Sequence, residues 1–140
     1  MRNILQNIQI KGNYKKWKIE KWFGAEVFKY LRTRDYYCYH IADIGSGNRL
    51  LDWIIIDPEW KVFFIEFKKT DWYSFNISQM EPSQVYLLNL MQNRWVEAYI
   101  MVYSQKTNTY VVTTYSYIKA NINDNGWLRL FNNDTGEIQW

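Results

Sequence analysis

The sequence predicts an α/β fold, a mixed central β-sheet flanked by helices. Three observations carry the prediction. Short apolar runs bounded by turn residues recur through the middle of the chain. Segments of helical periodicity flank and interrupt them. One run is apolar on both faces, so as a strand it has to be covered on both sides. Read in order, the elements run α-β-β-β-α-β-β, which suits a sheet with helices packed on it.

Residues 1–13 are polar with scattered Ile and Leu, and predict a loose N-terminal arm. Over 14–34, Trp17, Trp22, Phe23, Val27, Phe28 and Leu31 recur at helical spacing, which predicts a helix with a basic outer face. Gly24 is a weak point inside it. Residues 36–44 alternate as a strand does, and Gly45-Ser46-Gly47-Asn48 is a turn. A second strand spans 50–56 and a third 61–68. Asp57-Pro58-Glu59 joins them as an antiparallel hairpin, with Pro58 in the second turn position. Residues 74–81 read as irregular. Pro82 suits the first turn of a helix, which Val85, Leu88 and Met91 carry to about Asn93. Strands follow at 97–103 and 110–115, then a short helix at 116–121. The polar stretch 122–140, with two glycine-ended turns, is an extension of uncertain structure. The whole, 1–140, is read as a single domain.

Composition narrows the chemistry. With 140 residues, 48% of them hydrophobic, the chain can bury a core without disulfides or metals. Aromatic content is 19%, which fits either a core of large residues or surface rings that stack on bases or form a dimer interface. The net charge of +3 permits a polyanionic partner. Lysines and arginines crowd into the first quarter, where they make a solvated helix face or a phosphate-binding one. Cys38 and His40 are the single cysteine and the single histidine. An intramolecular disulfide and a Cys/His zinc site are therefore excluded, and no nucleophile-elbow pattern accompanies His40. Gly45-Ser46-Gly47 is not a dinucleotide fingerprint, because the third glycine would fall on Leu50. No apolar run approaches a membrane span and no signal peptide is visible, so the expectation is a soluble intracellular protein, in a cytoplasm that could be a virus-infected host's.

The informative residues are charges placed in apolar strands. In Lys61-Val62-Phe63-Phe64-Ile65-Glu66-Phe67-Lys68, alternation puts Glu66 and Lys68 on the face of Val62 and Phe64. Asp52 interrupts Leu50-Leu51-Asp52-Trp53-Ile54-Ile55-Ile56. A hairpin turning near Glu59 brings position 52 opposite 66 or 67. Two carboxylates and a lysine then converge. Such charges are costly to bury unless paired or bound to a metal, and hard oxygen ligands suit Mg²⁺.

Asp52 followed by Glu66-Phe67-Lys68 after the hairpin resembles the PD-(D/E)XK nuclease superfamily, although Leu51 stands where the motif's proline is usual. Gly24-Ala25-Glu26-Val27-Phe28 with Leu31 is similar to the first-helix segment of archaeal Holliday junction resolvases. The stretch from Phe64 to Thr70, then Ser74-Phe75-Asn76-Ile77, Gln84 and Leu87-Leu88, resembles RecU-type resolvases. The loop from Gly45 to Arg49 looks like the resolvase loop leading into the metal aspartate. The resemblance spans about 18–103. It implies a restriction-endonuclease-like sheet and a homodimeric, Mg²⁺-dependent endonuclease of four-way DNA junctions, with Mn²⁺ a substitute. By the same resemblance Asp52, Glu66, the carbonyl of Phe67 and Glu26, with Glu20 as the alternative helical acid, would hold the metal. Lys68 would orient water or stabilise the transition state, and Gln84 would position it. Lys15, Lys16, Lys18, Lys21, Ser46, Arg49 and Lys69 would meet the DNA backbone. Other nucleases of the superfamily (restriction, repair or phage recombination enzymes) and a non-catalytic DNA-binding module of the same fold are the alternatives.

Overall fold

The computed structural model describes residues 1–10, 19–41 and 51–138. Its centre is β3 (Val62–Thr70), the strand whose two faces are both apolar at their start. Antiparallel to it runs β2 (Trp53–Ile56), and outside β2 runs β1 (Tyr37–His40). On the other side β5 (Glu97–Ser104) is parallel to β3, and β6 (Thr109–Thr113) closes the sheet antiparallel to β5. The order β1-β2-β3-β5-β6 is the mixed sheet that the sequence predicts.

The β2–β3 hairpin follows from its turn residues. Asp57 Oδ1 accepts the backbone N–H groups of Glu59 and Lys61, both at 2.9 Å, and the Trp60 N–H reaches the Asp57 carbonyl at 3.0 Å. Pro58 pre-sets the turn, and Trp60 completes it in the left-handed region at φ 68°. The resulting register pairs Trp53 with Ile65 and Ile56 with Val62.

Helices cover both faces. On one, α2 (Ile19–Arg32) buries Ile19, Phe23, Val27, Phe28 and Leu31 against Phe63, Ile65 and Phe67. Gly24 lets it come close: a Cβ there would stand 3.3 Å from the Phe67 ring. On the other face, α3 (Pro82–Asn93) and α4 (Tyr115–Asn121) bury Leu88, Met91, Tyr115 and Ile118 against Ile100 and Val102. The expected helix from Pro82 to Asn93 is present at those bounds. No helix among the described residues is long and apolar enough to cross a membrane.

Three segments differ from expectation. The start of the chain is not a loose arm: α1 (Arg2–Gln6) lies along the β6 edge, with Leu5 and Ile8 in the core. Gln6 satisfies that edge from both ends of its amide, donating to the Tyr110 carbonyl at 2.8 Å and accepting the Val112 N–H at 2.7 Å. Residues 74–76 form β4 (Ser74–Asn76), paired with β7 (Trp127–Arg129) in a second small sheet. Residues 122–138 thereby join the fold, and Leu128, Leu130 and Phe131 are buried in the α3 core. The predicted turn at 45–48, and helix residues 14–18, lie outside the described residues.

Because Phe131 is fully buried, Phe131→Ala is expected to cost about 3–5 kcal/mol in urea unfolding. A loss under about 1 kcal/mol, well below that core range, would mean that the C-terminal segment is not part of the core.

Candidate active site

β3 is longer than its neighbour. Its pairing with β2 ends at Ile65, while β3 continues to Thr70. Along an extended strand, backbone groups point to alternate edges. Beyond Ile65, those of Phe67 and Lys69 therefore face the gap where β2 has stopped. Carboxylates fill it. Asp52 Oδ2 accepts the Phe67 N–H at 3.0 Å, and Glu20, from the first turn of α2, accepts a backbone hydrogen bond from Lys69. The Asp52 N–H in turn donates to Glu66 Oε2 at 2.9 Å. The convergence of Asp52 and Glu66 expected from the hairpin is thus present, with Asp52 bonded through its N–H to Glu66 and through its carboxylate to Phe67.

Glu66 is held on its other side by α3. Gln84 sits at the third helical position, where its side-chain oxygen accepts the Glu81 N–H at 3.1 Å in a capping box. An amide has one oxygen and one NH₂. With the oxygen committed, the NH₂ is turned toward Glu66, and Nε2 donates to Oε1 at 2.7 Å. Lys68 Nζ lies 3.3 Å from the same oxygen. Glu66, Lys68 and Gln84 are all buried.

The electrostatics follow. Burial pushes Glu66 up to about 8, helped by the nearby Asp52 and opposed by Lys68. Glu20 is also raised, first by desolvation and then by Asp52, against Lys68 and the Lys69 hydrogen bond. It keeps an exposed side toward solvent. Glu66 and Glu20 thus both feel the charge of the buried Lys68 and that of Asp52.

Glu26, the preferred helical acid in the sequence reading, takes no part in these contacts. Six positions along α2 turn it roughly 120° away around the axis from Glu20. The alternative acid, Glu20, is the one brought to Asp52. Sequence spacing alone left the two open, because the rotation of α2 is fixed by Phe23, Gly24 and Phe28 packing on Phe67. Lys21 lines the cavity beside the site, while Lys69 pairs with Asp71 at 3.6 Å on the surface. Lys15, Lys16, Lys18, Ser46 and Arg49 lie outside the described residues. His40, Trp53 and Arg32 also line that cavity, and no sequence motif marks them.

No family model and no curated protein matches the chain. Its structure is similar to that of Hjc, a Holliday junction resolvase from the archaeal hyperthermophile Archaeoglobus fulgidus, with a TM-score of 0.54 over 75% of this chain and 83% of that one. The chain shares that protein's fold. At 13% identity the likeness is one of fold, and it bears out the mixed central sheet flanked by helices that the sequence predicts. Within this fold, the Asp52–Glu66–Lys68 cluster sits at the end of the central hairpin.

The Glu66 shift has a measurable sign. Between the ordinary carboxylate value and about 8, the native state holds a proton that the unfolded chain has released. Metal-free stability should therefore fall as pH rises through this window and level off above it. Glu66→Gln should flatten most of that slope in urea unfolding measured from pH 5 to 9, and an unchanged slope would contradict the shift.

Proposed function

We propose that the chain is a divalent-metal-dependent, structure-selective DNA endonuclease that hydrolyses phosphodiester bonds, with four-way junctions as its substrate. The observation that carries this reading is the tied pair at the open edge of β3. The Asp52 N–H donates to Glu66, the Asp52 carboxylate accepts from the adjacent Phe67 N–H, and Lys68 lies on Glu66. The likeness in fold to a protein named as a junction resolvase supports the choice of substrate.

The donor set fits a hard cation. It is all oxygen, and both the burial that chiefly raises Glu66 and the repulsion from Asp52 that adds to it would be offset by a dication between the acids. Among the described residues no cluster of three or more His, Cys, Asp or Glu is assembled as a metal cage. Magnesium does not require one, since it is commonly held by one or two carboxylates and keeps several waters. Asp52, Glu66 and the Phe67 carbonyl would hold it, with Glu20 in the role first given to Glu26. A divalent ion, Mg²⁺ or Mn²⁺, supplies Lewis acidity, lowering the pKa of the attacking water and offsetting charge on the phosphate.

The chain's own residues do the rest. Lys68, buried and anchored by Glu66, is a fixed positive charge for the phosphate as negative charge builds on it. Gln84 is a positioning residue: its amide fixes the Glu66 carboxylate. Lys21 and its basic neighbours in sequence would contact phosphates and so orient the duplex without reading bases. Paired incisions across a symmetric junction need two related sites, which calls for a homodimer.

The purified chain should cut branched DNA with Mg²⁺ or Mn²⁺ and not in EDTA. Asp52→Asn and Glu66→Gln should each lower the rate by about 100-fold or more, the scale of losing one transition-state contact, while DNA binding persists. Glu20→Gln should impair cleavage and Glu26→Gln should not. Full activity of either site variant, or binding without cleavage under any metal, overturns the reading. Equal cutting of linear duplex and junction overturns the substrate class.

A further inference from the structure

Beside Asp52, α2 and the β1–β2 pair enclose a cavity of about 660 Å³. That is the size range of small-ligand sites, and a water occupies only about 30 Å³. An ion with its waters would leave much of it unused. On the α2 side its wall includes the two small residues Gly24 and Ala25.

The walls are rings. Trp53 is the cross-strand partner of His40, and their ring centroids are 4.9 Å apart. Phe28 supports Trp53 at 3.3 Å between centroids and an interplanar angle of 33°. Trp53 is only half-buried and His40 is exposed. Two cations, Lys21 and Arg32, stand on the α2 side of the same cavity. Aromatic faces with flanking cations, opening beside a cluster of acids, match one ligand chemistry: a flat base carried on a phosphate backbone.

We propose that this cavity receives an unpaired nucleobase adjacent to the phosphate to be cut, stacked on Trp53 and His40, with Lys21 and Arg32 on the flanking phosphates. The proposal rests on the nuclease reading and sharpens its substrate class. A base inside a duplex has both faces covered, so filling the cavity requires it to leave the stack. That costs least where pairing is already broken. The cavity thus selects DNA at a branch, bulge or mismatch, with no base-edge readout.

The test uses the full chain without metal and measures fluorescence anisotropy. One probe is a duplex with a single unpaired adenine, and the other is the same duplex with an abasic residue at that position. Stacking of one base corresponds to about tenfold tighter binding of the first probe. His40→Ala and Trp53→Ala should bring the ratio toward one. His40 is exposed, so its variant reads the cavity even where Trp53→Ala fails to fold. A ratio near one in the unaltered chain overturns the proposal. So does a ratio that stays near ten while both affinities fall together, because that assigns the rings a packing role. Cleavage of the same duplexes with Mg²⁺ separates the two readings. Cutting with a ratio of one removes the base site and leaves the nuclease. A ratio of ten without cutting removes the nuclease and leaves a base-binding site.

Discussion

The candidate site depends on one mismatch of length: β3 runs to Thr70, but β2 stops pairing opposite Ile65. The backbone groups left along that edge would each cost about 1–3 kcal/mol if buried without partners. The acids supply the partners. Asp52 reaches back from the residue before β2 to the Phe67 N–H, and Glu20 reaches across from α2 to Lys69. The same bonds that complete the edge align the carboxylates, so site geometry and strand geometry are one constraint. Moving the hairpin register by one residue would turn Glu66 and Lys68 to the α2 face, among Phe23 and Phe28.

Alternation along β3 explains the division of labour between the helices. Glu66 and Lys68 point to the α3 side, where Gln84 meets them in the first turn of that helix. The apolar residues Phe63, Ile65 and Phe67 point to the α2 side and hold that helix close through Gly24. Consequently α3 orients the chemistry, and α2 contributes the edge acid and the wall of the cavity. Both tasks are set by a nine-residue strand read with period two.

This also decides how much the sequence could reveal. Asp52, Glu66 and Lys68 were legible because they break apolar alternation and because Asp57-Pro58 fixes a short hairpin, which makes register a matter of counting. Gln84 was reachable through Pro82, which marks where α3 starts. The choice between Glu20 and Glu26 was not reachable, since both sit on one amphipathic helix and only packing against Phe67 fixes its rotation. The core role of Leu128, Leu130 and Phe131 was hidden by the polar turns around them, and α1 by its shortness: five residues carry too little periodicity to read. The pairing of His40 with Trp53 depends on β1 joining the sheet edge, a non-local event that local pattern does not encode.

Two stretches of open strand, along β6 and along the part of β3 beyond Ile65, allow a last comparison. At β6 the exposed backbone is satisfied by the neutral amide of Gln6, which bonds an N–H and a carbonyl at once without any charge. At β3 the equivalent task falls to two carboxylates beside a third, and the group at the centre, Glu66, is driven up to about 8 by burial and by Asp52. If covering an edge were the whole requirement, an amide would serve at β3 as it does at β6, without like charges forced together. The fold already contains the cheaper solution and does not use it there. The proposed function gives the acids their reason: they would attract a small, strongly charged cation, beside which Lys68 and the aromatic cavity would present a phosphate and its neighbouring base.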